Sequence, residues 1–398
     1  MFSTLRNPKL LKIYLIPLFA VLLGTMTQSI AVLYVFELGG STFEINLIST
    51  VRSSMGILLI VPFGMLSDRF GRKPMVLYPR LIQFLGVVIY AFATSPNHLL
   101  IASVVGGFAG GAFFPVLLSM IGDVSEREKR QEAISTFFLF SSVGMLIGPT
   151  ITSLLLTFPQ IILRNIYQLV LVGQVLLFIY LFTQIKETQP STDKKQKIDY
   201  KIELGNLFKT KNFQSLMLMG FLYFFYNTII RTYLPIYAKV DLNLSDAEIA
   251  SLSIFRNLAV MLIRLTGATF LAKVSMKRFL LLAITLGGIN CFLIPLNTSY
   301  LPLVLSIFLS GLSYGAVMSL GSTLVSISST LKNRGVANSI YMASNGMGRI
   351  MNMITTPIAE TYGNATIFIV GSLCALGALI PTLTYKLKKK NNLTHTKS

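Results

Sequence analysis

The sequence predicts an all-α membrane protein with twelve transmembrane helices in two pseudo-symmetric six-helix bundles. Three observations carry that expectation. Of 398 residues, 53% are apolar and only 12% charged, against about a quarter charged in an ordinary soluble domain. The apolar residues gather into twelve runs, each near the roughly 20 residues that a bilayer crossing needs. The second half also repeats the first at a fixed offset of 204 residues.

The twelve runs cover residues 13–36, 44–66, 75–94, 98–120, 132–157, 161–183, 213–238, 246–271, 278–296, 300–324, 335–358 and 364–385. They are numbered spans 1 to 12 here. Span 1 lacks a small-residue cleavage site and is followed by many more runs, so it reads as a retained helix. The cations fall in alternate loops. Arg6, Lys9 and Lys12 precede span 1; Arg69, Arg72 and Lys73 join spans 2 and 3; Arg127, Lys129 and Arg130 join spans 4 and 5. Seven lysines lie from Lys186 to Lys211, and five from Lys386 to Lys397. Lys273, Lys277, Arg278, Lys332 and Arg334 complete the set, 26 of the 34 cations in all, whereas the opposite loops hold little beyond Arg164 and Lys239. The positive-inside rule therefore predicts a multi-pass protein of the cell membrane with both termini in the cytoplasm.

This distribution also disposes of the net charge of +19. Cations confined to short loops between apolar runs point to membrane topology and not to nucleic acid. The expected organisation is a six-helix bundle over 1–183, a polar Lys-rich linker over 184–212, a second bundle over 213–386 and a cytoplasmic tail over 387–398.

The repeat has physical content. Ser41-x-x-Glu44 falls on Ser245-x-x-Glu248, Arg52 on Arg256, Lys73 on Lys277 and Gly144 on Gly348. Each Ser-x-x-Glu is a capping box, in which serine and glutamate satisfy the first backbone N–H groups of a helix. The two boxes predict the starts of spans 2 and 8.

Between spans 2 and 3 lies Gly64-Met-Leu-Ser-Asp-Arg-Phe-Gly-Arg-Lys73, with five of its special residues packed into positions 68–73. Read from charge alone, this is a short loop that cannot bury its ions and sits in water. It resembles the signature G-x-L-x-D-R-x-G-R-[KR] between helices 2 and 3 of the major facilitator superfamily, and Gly64, Leu66, Asp68, Arg69, Gly71, Arg72 and Lys73 match every fixed position. The resemblance implies the fold of that superfamily and a secondary transporter that is not an enzyme. It places the substrate near the bilayer midplane between two parallel-repeat bundles and makes the charged stretch a cytoplasmic latch. Gly144, Gly148 and Pro149 in span 5 resemble the family's antiporter motif, with Thr152 and Ser153 in place of its final glycines. Those three residues join Gly64, Asp68, Arg69, Gly71, Arg72 and Lys73 as candidate gating residues. In span 4, Gly107 and Pro115 fit a further family motif. Ser103 occupies the position of its proton-linked arginine, which argues against drug–proton antiport of the usual kind.

Arginines inside the spans are the main functional signal. Arg52 lies nine residues beyond Phe43, about 13 Å along a helix and near the middle of a hydrocarbon core of about 30 Å. Arg256 has the matching depth in span 8. Arg231, Arg264 and Arg349 also fall within apolar runs, and none of the fifteen acids lies at mid-span. Cations without carboxylates create a positive potential that attracts anions. A structural reading stands beside this one, with the guanidiniums bonded to backbone carbonyls or to neighbouring Asn and Ser. The pair on spans 2 and 8 resembles the anion clamp of the superfamily's nitrate/nitrite porters, which would set both arginines across one cavity. Candidate substrate-binding residues are Arg52, Arg256, Gln28, Tyr226, Asn227, Asn345 and Arg349. Asn338, Asn345 and Asn352 recur every seven residues and form a stripe that lines a cavity or joins helices.

The predicted function is secondary transport by alternating access of a small organic or inorganic anion. The alternative is efflux of hydrophobic or amphipathic compounds, and a third reading is a non-transporting receptor on the same fold. Expected partners are a small-molecule substrate, with or without a coupling ion, and the lipid bilayer; a monomer is expected. Neither a cofactor nor a metal is expected. Cys291 and Cys374 lie singly in apolar runs, His98 and His395 are isolated, and no phosphate-binding glycine loop is present.

Overall fold

The computed structural model describes residues 3–110, 113–126, 128–188, 205, 207–329 and 334–385. Within those helices, the side chains at 3, 5, 57–69, 109, 110, 115, 267–273, 334–336, 339, 342, 345 and 349 lie outside the described residues, as do the greater part of the linker and the tail. Every described regular element is a helix, and the helices follow the twelve spans. Nine described stretches are long and apolar enough to cross a membrane.

Span 1 is Pro8–Gln28 followed by Ala31–Glu37. Its start is set by Asn7, whose side chain accepts from the Lys9 N–H at 3.0 Å, and by Pro8 in the first turn, where no N–H is missed. Spans 2 and 8 run over Thr42–Phe70 and Asp246–Lys273. Both predicted capping boxes form. The Ser41 N–H donates to the Glu44 carboxylate at 2.7 Å, and the Glu44 N–H donates to Ser41 Oγ at 3.2 Å. The Ser245 and Glu248 bonds measure 2.9 and 3.3 Å.

Span 3 is Arg72–Ala91, span 5 Arg130–Leu155, span 6 Leu163–Gln184 and span 7 Lys211–Val240. Span 4 comprises Pro96–Gly110 and Phe113–Val124. Span 9 is Met276–Leu293, span 10 Tyr300–Ser328 and span 12 Asn364–Gly377 with Leu379–Thr384. Span 11 is Arg334–Met351, a tight 3-10 turn over Asn352–Thr355, then Thr356–Tyr362.

Helix pairing shows the two pseudo-symmetric bundles directly. In the first half span 1 packs on 5, 2 on 4, 3 on 4, 1 on 6 and 3 on 6. In the second half span 7 packs on 11, 8 on 10, 9 on 10, 7 on 12 and 9 on 12, which is the same set. The halves then meet along two seams, span 5 against 8 and span 2 against 11.

Glycines on spans 4 and 10 set the depth of one packing contact in each half. A Cβ on Gly107 would stand 2.8 Å from the Arg52 carbonyl, and one on Gly311, which is 204 residues later, 2.5 Å from the Arg256 carbonyl. Small residues at such crossings let helix backbones approach.

The junction of spans 2 and 3 differs from the expected loop. Helix persists through Phe70 and resumes at Arg72, so Gly71 alone breaks it, at φ +98°. The expectation that the charges stay in water is also corrected, because Arg72 is 5% exposed. Charged residues can ride on helix ends that extend beyond the apolar run, and a neighbouring carboxylate then offsets the burial of the cation.

Candidate functional site

Where the two halves meet, spans 1, 5, 7, 8 and 10 enclose a cavity of about 80 Å³ accessible to water. Its polar lining is Thr25, Gln28, Ser29, Arg231, Ser253, Arg256 and Asn257. Its apolar lining includes Val32, Leu234, Ile249, Leu252 and Ile307, and no acidic residue contributes. Gln28 is exposed to this space.

Arg256 is held from behind. One guanidinium nitrogen donates to Asn227 Oδ1, and Cζ lies 5.0 Å from the centre of the Tyr314 ring. Arg256 Nε and Asn227 Nδ2 have no partner among the described residues. The sequence alone suggests that Tyr226 and Asn227 face the cavity. Both are buried, at 0% and 1% exposure, and neither lines it. Asn227 orients Arg256 from behind the cavity wall, and the Tyr226 hydroxyl lies 3.4 Å from Ser310 Oγ inside the second bundle.

Arg52 does not join Arg256. It lines a separate, smaller chamber inside the first bundle, with Gln83, Tyr90, Tyr167 and Gln174. The arrangement of both arginines across one cavity is therefore not the one observed. Span 2 turns Arg52 towards spans 3, 4 and 6, while span 8 turns Arg256 towards spans 1 and 7. The side chains of Asn345 and Arg349 lie outside the described residues.

Span 8 also stitches the seam with span 5. Ser153 Oγ donates to the Ala247 carbonyl at 2.9 Å, Asn257 Nδ2 to the Met145 carbonyl at 2.7 Å and Arg264 to Ser142 Oγ at 3.0 Å. Gly148 and Pro149 are buried in span 5, as is Gly144, where a Cβ would collide with the Leu18 carbonyl of span 1. The glycines of the antiporter-like motif thus bring span 5 against span 1 beside the cavity.

At the Ser41 end, the other seam closes on one asparagine. Asn46 Nδ2 donates to the Tyr233 hydroxyl and to Thr356 Oγ1, each at 2.9 Å, while Asn352 Nδ2 donates to Asn46 Oδ1 at 2.6 Å. Thr355 Oγ1 donates to the Asn352 carbonyl at 2.5 Å, so it accepts from Tyr233 at 2.8 Å. All five residues are at most 2% exposed. This clasp between span 2 and spans 7 and 11 is not foreseen from sequence, where Asn352 stands only as part of a stripe. The signal present is an asparagine near the end of an apolar run.

At the opposite end, the Arg72 and Lys73 N–H groups donate to the Glu187 carboxylate at 2.9 and 3.1 Å. Arg72 Nε pairs with Asp123 at 3.4 Å. Lys73 Nζ donates to the Phe182 carbonyl at the end of span 6. Its repeat partner Lys277 donates to the Leu383 and Tyr385 carbonyls after span 12. Gly71, Arg72 and Lys73 are thereby gathered into one network. Gly64, Asp68 and Arg69 have side chains outside the described residues.

Two six-helix bundles related by an internal repeat, closed at one end over a polar cavity in an apolar body, define a membrane transporter. The sequence matches the family profile described as Major Facilitator Superfamily over residues 14–285 and 216–398. The chain belongs to the Major Facilitator Superfamily. The crystal structure of the nucleoside transporter NupG superposes with a TM-score of 0.77 at 16% identity, covering 95% of this chain and 100% of that one. The MFS-type transporter MJ1560 of Methanocaldococcus jannaschii is 21% identical over 88% of this chain and 91% of its own. The bacillibactin exporter of Bacillus subtilis is 30% identical over 147 residues, 35% of this chain and 37% of the exporter. Further matches, to uncharacterised transporters, span only 28% of the relative's length.

Proposed function

We propose that this chain is a secondary transporter of a small organic anion, working by alternating access from the cavity between its halves. The observation that carries the reading is the cavity's charge: Arg231 and Arg256 line it and no acid does. A guanidinium suits a carboxylate, sulfonate or phosphate, which it meets with two parallel hydrogen bonds. The apolar lining favours an anion with a hydrocarbon body over a bare inorganic ion. Gln28 supplies a neutral donor and acceptor on the opposite wall.

In this reading the chain lies in the cell membrane with both termini in the cytoplasm. The bundles cover 1–183 and 213–386, joined by the linker 184–212. The Asn46 clasp is then the outer gate, and the structure is the state closed to the outside. The network of Arg72 and Lys73 beside Gly71 is the latch of the opposite state, in which the signature residues Asp68 and Arg69 would take part. The test uses purified protein and a panel of small anions and lipophilic cations, read by thermal stabilisation and then by counterflow in proteoliposomes. Stabilisation by one class of organic anion, lost in Arg256→Gln, is the expected result.

A second reading is efflux of amphipathic compounds. The glycine-rich contact of spans 5 and 1, the apolar cavity wall and the likeness to an exporter favour it. Stabilisation by lipophilic cations that survives Arg256→Gln would make it the working function.

A further inference from the structure

We propose that the first bundle holds a small inorganic anion of halide size in the chamber beneath Arg52, at a site distinct from the cavity between the halves. The chamber offers about 30 Å³ accessible to water, room for about one water-sized particle or little more. An organic anion with a hydrocarbon body does not fit, whereas a chloride or bromide ion does.

Of the polar lining, Tyr90 is bonded to Ser103 and Thr27 to the Gly24 carbonyl, and the remaining donors lack protein partners among the described residues. Arg52 makes no hydrogen bond or ion pair among the described residues. Gln174 is 3% exposed and Tyr167 2% exposed, yet neither side chain is hydrogen-bonded among the described residues. Gln83 uses its carbonyl oxygen to accept from Arg80 at 2.5 Å, which leaves its amide N–H groups for the chamber. An amide that faces the chamber without a protein partner is available to an occupant. Water could supply hydrogen bonds there, but an anion adds direct Coulomb attraction to the guanidiniums.

Charge decides between the two. Arg80 stands behind Gln83, 5% exposed, with its guanidinium 3.7 Å from the Phe113 ring centre. Among the described residues neither Arg52 nor Arg80 pairs with a carboxylate, and no acid lines the chamber. Arg80, buried with its Nε unpartnered, is a cation without a counter-charge among the described residues and is expensive in a membrane-embedded bundle, whereas Arg52 is exposed and free to receive an ion. A bound anion meets Arg52 and the amide donors directly and offsets Arg80 through Gln83. The remaining wall, Leu23, Val87 and Val170, suits a weakly hydrated monovalent ion.

The repeat explains why this happens in one half only. Arg256 is held by Asn227 and Tyr314. The positions 204 residues earlier are Leu23 and Gly110, so the protein itself offers Arg52 neither of those contacts.

The test is a melting titration of purified protein in sodium gluconate at constant ionic strength, with chloride or bromide replacing gluconate. A saturable rise in melting temperature is expected in the wild type and in Arg256→Gln. In Arg52→Gln and Gln174→Leu the half-saturating concentration should rise about ten-fold or more, the worth of one charge-assisted hydrogen bond. Gln174→Glu keeps the side-chain shape and places a negative charge in the chamber; it should abolish the response even if the leucine variant folds poorly. A halide effect that does not saturate, or that survives both Arg52→Gln and Gln174→Glu, overturns the proposal. So does an effect lost in Arg256→Gln alone, which would move the ion to the central cavity. Because the organic-anion reading turns on Arg256 and this one on Arg52 and Gln174, either can fail while the other stands.

Discussion

Arg52 and Arg256 occupy the same place in two copies of one backbone and make different contacts. Both lie on the second helix of their half, and both sit where a glycine of the fourth helix touches the backbone. Yet Arg256 is clamped by Asn227 against Tyr314 and faces the space between the halves, whereas Arg52 opens into a chamber within its own bundle. Helix–helix contacts repeat because they depend on small residues and apolar surfaces, which tolerate sequence drift. The polar contacts of the two arginines do not repeat, because a single change such as Leu23 for Asn227 removes the partner. The fold is symmetric and the chemistry is asymmetric.

The sharpest way to break this contrast is to remove each arginine. Arg256→Gln should weaken binding of the proposed organic anion in the central cavity about 10- to 100-fold, the worth of a charge-assisted hydrogen bond of about 1.5–3 kcal/mol. Arg52→Gln should leave that affinity nearly unchanged. Thermal-shift titration checks both, and equal losses would show one shared site. The symmetric side of the contrast is probed by Gly107→Ala and Gly311→Ala. Each forces a methyl group against a neighbouring backbone and should cost about 1–3 kcal/mol, seen as similar drops in melting temperature. A large drop in one variant alone would mean that the two crossings are not equivalent.

The two ends of the molecule extend the comparison. Asn46→Ala strips a fully satisfied buried clasp and leaves Asn352 and Thr356 without their partner, a loss of about 1–3 kcal/mol. The population open at the Ser41 end should rise. Distances between spin labels on the Ser41 end of span 2 and on Thr356–Tyr362 would lengthen; an unchanged distribution removes the gate role. The effect at the other end should be smaller. Glu187→Gln weakens an anionic cap on the first turn of span 3, worth about 0.3–1 kcal/mol, and should lower the melting temperature modestly.

The number of helices, their order, the two capping boxes and the half-chain repeat are legible in the sequence. Each depends on local composition, on lipid thickness or on bonds between residues three apart. The superfamily signature is legible for the same reason, being a contiguous string. The intramembrane arginines are found by depth along a helix. Their facing is not, because azimuth around a helix axis depends on which neighbours pack against it. Arg80 carries no such signal near the end of span 3, yet it is as deeply buried as Arg72. The charged stretch after Gly64 reads as a solvated loop, because its partners Asp123 and Glu187 lie 51 and 115 residues from Arg72.

The sequence by itself determined the twelve helices, the repeat and a membrane interior rich in cations and poor in acids. Only the tertiary structure decided that Arg256 and Gln28 share a cavity, that Arg52 has its own, and that Asn46 joins the halves. Local bonds and burial in lipid act within one helix and leave their mark in consecutive residues. A site between helices is made by side chains far apart in sequence, whose meeting depends on packing angles that no single stretch encodes.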